Sequence, residues 1–109
     1  MPGSVPEAAI AILLAAAMAI GAGLNLVGPG FVREEFRRWG YPAALRIAAG
    51  LTEGAAAVLL VSSSTRSAGA LLALAVLASV IITLARDRAW LRCEYPTVLA
   101  IMAVLILTR

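Results

Sequence analysis

The feature that leaves the fewest folds open is the recurrence of long apolar runs. After Glu7 the stretch "EAAIAILLAAAMAIGAGLNLVG" holds about twenty consecutive apolar or small residues, the length at which a helix rising about 1.5 Å per residue crosses roughly 30 Å of hydrocarbon. Further runs follow at about 42–61, at 67–85, where "AGALLALAVLASVIITLA" is the clearest, and at about 94–108. Composition agrees: 62% of the 109 residues are hydrophobic and 14% charged, against about 25% charged in an average soluble domain. A soluble fold could not cover that apolar surface, whereas a bilayer accepts it. The chain is therefore expected to be all-α, a polytopic membrane protein whose single domain, 1–109, is a bundle of four transmembrane helices. The first run has no Lys or Arg before it and is long for a cleaved signal, so it reads as a span.

Residue usage removes several chemistries. Cys93 is the lone cysteine and there is no histidine. A disulfide, a C-x-x-C redox pair, a thiolate zinc site and histidine-ligated haem are thus not expected, and no metal site is. Net charge is +3, carried by nine arginines and no lysine. No basic and aromatic stripe marks a polar helix, so nucleic acid is not an expected partner.

The connecting segments set orientation. "GPGFVREEFRRWGYP" alternates Phe31, Val32, Phe36 and Trp39 with charges, as would a short amphipathic helix at the headgroup level or a charged loop with aromatic interface anchors. "SSSTRS" is a tight polar turn, and "RDRAWLRCEYP" leads to the last run. That run is short from Pro96 onward, so it either starts before Pro96 or meets a locally thinned bilayer. The first and third connections hold Arg33, Arg37, Arg38, Arg86, Arg88 and Arg92, whereas only Arg66 and Arg109 lie opposite. The positive-inside rule then puts both termini on the non-cytoplasmic side. Arg37 and Arg38 read as topology signals and contacts for anionic membrane lipids.

Two charges sit inside the second run. Glu53 falls about 16 Å along it, close to the bilayer midplane, where a carboxylate facing lipid is expensive. Arg46 lies seven residues before it, nearly two turns away and on the same face, at an axial separation of roughly 10 Å that excludes a direct bond between fixed positions. That face reads as one wall of an intramembrane polar pocket. Ser79, Thr83 and Asp87 recur every four residues and form a facing stripe, which Asn25 and Thr52 could join, with Trp39 and Tyr41 at the approach. In this reading Glu53 and Asp87 are the acid–base residues, and Arg46, Asn25, Thr52, Ser79, Thr83, Trp39 and Tyr41 bind the ligand. The plainer alternative is that a bonded Glu53 only fixes helix register and that the hydroxyls bond back to their own helices. Gly50 and Gly54 form a small-xxx-small pair that lets a neighbouring helix come close.

The stretch "FRRWGYPAALRIAAGLTEGAAAVLL", preceded by "GAGLNLVGPG" and followed later by "TLARDR", Glu94 and Pro96, resembles the DoxX-like family of small four-helix membrane proteins. The resemblance covers nearly the whole chain and is most specific in the second run. It implies a four-helix bundle in the bacterial cytoplasmic membrane. It also implies association with redox or quinone-linked partners in some relatives and with chaperoning or sorting of membrane proteins in others. Relatives tend to carry a Lys where Asn25 stands, and many carry a His where Leu84 stands.

Three functions are therefore expected to compete. The first is binding or acid–base transformation of a small lipophilic molecule, with no resident cofactor although a quinone is admitted by the resemblance. The second is a helper subunit of a membrane protein or oxidoreductase complex. The third is a proton-coupled exporter of the small multidrug resistance type, disfavoured because Glu7 precedes the first run instead of lying within it. A homo-oligomer or a complex with a partner membrane protein is expected in either of the first two cases.

Overall fold

Each apolar run becomes a helix whose ends are set by proline, glycine and polar turns. A computed structural model describes residues 6–108. Helix α1 (Glu7–Val27) follows Pro6 and stops at Gly28, whose φ of 65° is left-handed and whose N–H closes on the Leu24 carbonyl at 2.9 Å. The amphipathic α2 (Gly30–Trp39) ends at Gly40, so the connection is a helix and not an extended loop. Helix α3 (Ala43–Val61) opens after Pro42 and gives way to the serine turn. Helix α4 (Arg66–Arg86) returns across the bundle. The last run begins before Pro96: a 3₁₀ turn (Trp90–Cys93) feeds α5 (Glu94–Leu107), with Pro96 in the first turn, where it lacks no intrahelical partner.

Four of these segments are long and apolar enough to cross a membrane, the fourth only when Trp90–Leu107 is taken as a unit. They pack in a ring: α3 touches α1 and α4, and α5 closes it by touching α4 and α1. The interior is built from small residues punctuated by a few large ones, including Ala11, Leu14, Met18, Ala56, Leu60, Ala70, Ala73 and Ala103. The outside is apolar as well, with Ile12, Leu13, Ile20, Val58 and Leu71 exposed. A helix greasy on every face is the pattern of a membrane span, where packing of small residues replaces the hydrophobic effect as the glue between helices.

Helices α3 and α4 approach backbone to backbone near the serine turn. A Cβ at Gly69 would stand 2.7 Å from the Leu60 backbone nitrogen and 3.0 Å from the Ala56 carbonyl oxygen, neither of which can rotate away. The same end is tied by Thr65 Oγ1 donating to the Leu59 carbonyl at 2.7 Å and by Arg66 Nε donating to the Leu60 carbonyl at 3.1 Å. Gly69→Ala should therefore lower stability by about 1–3 kcal/mol through overpacking. Thermal unfolding followed by the helical circular dichroism of the detergent-solubilised protein measures this, and an unchanged midpoint would show that the helices part at no cost.

Candidate functional site

The charges inside α3 are met by α1. Arg46 is 7% exposed, and its guanidinium donates to the backbone carbonyl of Asn25, one of the last four carbonyls of α1 and hence without an intrahelical partner. A cation at this spot also faces the negative end of the α1 dipole. Gly28 makes the contact possible, because a Cβ there would collide with the guanidinium. Arg33 Nε donates to the Gly28 carbonyl and continues the capping. Glu53, 9% exposed, accepts a hydrogen bond from the side-chain amide of the same Asn25. Gly21 leaves room for its second carboxylate oxygen. Asn25 thus spans the gap between Arg46 and Glu53 that one helix leaves open, its carbonyl turned to one and its amide to the other. Gly50 packs on Leu26 and Asn25, and Gly54 meets Ala22, so the small pair admits α1.

The other polar residues lie on a different face. A cavity of about 500 Å³ opens between α3 and α4 beneath α2, walled by Leu45, Ala48, Ala49, Val76, Val80 and Ile82 and by the ring of Phe36. Thr52, Ser79, Thr83, Trp39 and Tyr41 line it too. Consecutive helical residues point about 100° apart, which explains why Thr52 faces α4 while its neighbour Glu53 faces α1. Neither Arg46 nor Glu53 lines this cavity, so the expected single pocket is divided into an α1–α3 polar contact and an α3–α4 cavity.

Within the cavity the polar atoms gather at one end. Tyr41 Oη and Thr83 Oγ1 share a hydrogen bond of 2.9 Å, and Thr83 is buried. Phe36, Trp39 and Tyr41 form a cluster with ring centroids 5.3–6.2 Å apart. The indole Nε1 of Trp39 is buried and, among the described residues, is the side-chain nitrogen or oxygen left without a partner. Thr52 and Ser79 bond back to Ala48 and Ala75 of their own helices, at 2.8 and 3.0 Å. Asp87, just past α4, pairs with Arg38 of α2 at 3.1 Å, and both line a smaller recess that shares Trp39, Tyr41 and Thr83 with the main cavity. A second ion pair, Arg92 with Glu35, ties α2 to the 3₁₀ turn. Among the described residues no three His, Cys, Asp or Glu gather into a metal site.

Sequence reasoning did not single out the apolar walls. The signal was there in the spacing of Leu45, Ala48, Ala49 and Thr52 and of Val76, Ser79, Val80 and Thr83, two stripes at helical period whose small members leave space where they meet.

A family model described as the DoxX-like family matches residues 9–106. The chain belongs to the DoxX-like family. No curated protein and no solved structure matches it significantly. In this DoxX-like protein the two departures noted in the sequence occupy distinct places: Asn25 is the hinge of the α1–α3 contact, and Leu84 is buried beside Thr83.

The contact makes unequal demands on its members. Asn25→Leu removes the donor to a buried carboxyl and should cost about 1–3 kcal/mol. Glu53→Gln keeps an acceptor oxygen for the Asn25 amide and should cost clearly less. Reversible unfolding in mixed micelles of both variants gives the comparison; equal losses would mean that the charge of Glu53, and not its bond to Asn25, holds the helices together.

Proposed function

We propose that this DoxX-like protein binds a small lipophilic molecule from the bilayer in the α3–α4 cavity and holds its polar head at the aromatic end. The observation that carries the reading is the division of the cavity itself: an apolar body faced by Ala48, Ala49, Val76 and Val80, and a polar end where Tyr41 and Thr83 meet. Pockets of this kind, mostly apolar with a few converging polar groups, suit a ligand with a greasy body and one hydrogen-bonding head. A carbonyl head would accept from Tyr41 or Thr83, and a quinone is one molecule of that form. The cavity's residues that are exposed, Ala48, Ser79 and Ile82 among them, face outward, which supports access from the side, through lipid.

Proton exchange with such a head would draw on Asp87, the carboxylate that shares the recess with Tyr41 and Thr83. Glu53 and Arg46 act in this reading by fixing α3 against α1. The arginine-rich end that bears α2 faces the cytoplasm by the positive-inside rule, with both termini opposite. A helper subunit is the second reading, favoured by the way Glu53 is bonded by Asn25 and covered at Gly21, as a residue that sets helix register would be. In that case the cavity is the groove in which a partner's helix lies.

Native mass spectrometry of protein taken from its host membrane tests the proposal, comparing wild type with Ala49→Leu, which fills the cavity, and Glu53→Gln, which does not. A defined small molecule should accompany the wild type and Glu53→Gln and be lost from Ala49→Leu. Loss from Glu53→Gln alone would move the site to the α1–α3 contact. Bulk lipid alone on all three would end the ligand reading in favour of a protein partner.

A further inference from the structure

A second cavity, of about 280 Å³, lies on the far side of the Phe36 and Tyr41 rings from the first, between α2 and the start of α3. Its other lining residues are Arg33, Arg37, Arg46 and Ala43, so three arginines border one small space that no carboxylate lines. Among the described residues two ion pairs form, Arg38 with Asp87 and Arg92 with Glu35, and neither includes these three arginines. Glu34 and Glu35 lie with Arg37 and Arg38 around a separate recess on the outer face of α2.

Arg46 makes the cluster more than a solvated patch. Its side chain is more than nine-tenths buried, yet its one hydrogen bond among the described residues goes to the uncharged carbonyl of Asn25. Among the described residues the buried side-chain nitrogen without a partner is that of Trp39, so the remaining guanidinium nitrogens of Arg46 are not sealed inside protein, and Arg46 lines this cavity. A buried cation with no counter-charge is costly, and a bidentate anion is what a planar guanidinium best accepts. The first turn of α3 adds to the field: Pro42 offers no side-chain cap, Leu45 N–H returns to the Pro42 carbonyl, and Ala43 stands at the cavity wall. The positive end of the helix dipole therefore points the same way as the three arginines.

We infer that this cavity is a binding site for a phosphate group, held by Arg33, Arg37 and Arg46 at the start of α3. The site lies where α1 ends and α3 begins, and the amphipathic α2 beside it buries Val32 while exposing its charges. Such an interfacial position is the depth of lipid headgroups, and a phosphodiester there would leave its acyl chains along the apolar outer surface of the bundle. A soluble phosphate compound offers the same chemistry from the aqueous side.

Native mass spectrometry of the detergent-purified full chain, titrated with phosphatidylglycerol or with phosphatidylcholine of the same acyl chains, decides between specific and diffuse attraction. One phosphatidylglycerol should be retained over phosphatidylcholine by on the order of tenfold. Arg37→Gln and the double variant Arg33→Gln with Arg37→Gln should lose that preference, while Arg88→Gln, exposed and outside the cavity, should keep it. Arg46→Gln is uninformative alone because Arg46 also caps α1. A parallel arm adds inorganic phosphate: displacement of phosphatidylglycerol, or Arg37-dependent binding of phosphate without any lipid preference, supports a phosphate site filled from solution. Lipid preference that phosphate fails to displace supports a headgroup site. If neither a lipid preference nor Arg37-dependent phosphate binding is found, or if Arg88→Gln is as damaging as Arg37→Gln, the arginines attract anions only diffusely and the site does not exist.

Discussion

A guanidinium and a carboxyl on one helix, not paired with each other, are both bonded by a single residue of the neighbouring helix. The arrangement at Asn25 governs much else in the molecule. It requires α1 to end where Arg46 can cap it, hence the left-handed Gly28. It requires α1 and α3 to lie close, hence Gly21, Gly50 and Gly54 along the contact. In a bilayer, where apolar side chains gain little by leaving lipid for protein, such a polar tie fixes the relative depth of two helices that apolar packing alone would let slide. A lysine at position 25, as the resemblance to relatives would have it, would place a third charge in the same contact, whereas the asparagine meets both charged groups with neutral ones.

Arginines of other helices cap helix ends. Arg46 of α3 and Arg33 of α2 hold the end of α1, and Arg66 holds the last carbonyls of α3 from the start of α4. Orphan carbonyls at a helix end need partners, and a neighbouring guanidinium supplies several donors at once. The absence of histidine and lysine leaves arginine as the only long cation available for the task, and its several donors let one side chain cap a helix and still face a cavity.

The four apolar helices and the family were legible in the sequence because run length and the arginine-flanked second run are one-dimensional signals. The start of the last helix before Pro96 also followed from counting residues against bilayer thickness. The placement of the polar side chains did not follow so directly. Arg46 and Glu53 share a face of α3, and that much is periodicity. Which neighbour the face meets depends on the order of helices around the ring, and no spacing rule in so uniform an alanine-rich chain encodes it. Thr52 and Ser79 bonding to their own helices was foreseeable from the habit of hydroxyls in apolar surroundings. The arginine-lined cavity was not, since Arg33 and Arg37 look like topology signals until α2 folds back beside the first turn of α3.

The backbone contact at Gly69 has a mechanical side. Helices α3 and α4 approach main chain to main chain near the serine turn and enclose at the other end a cavity lined by the Phe36, Trp39 and Tyr41 rings, so together they form a wedge with its apex at Gly69. The width of the mouth and the angle between the helices are then a single variable. Any widening of that angle would have to part Thr83 from Tyr41 and Asp87 from Arg38. The hydrogen bond and the ion pair thus bridge the mouth of the wedge from opposite partners, Tyr41 and Arg38 on one side and Thr83 and Asp87 on the other.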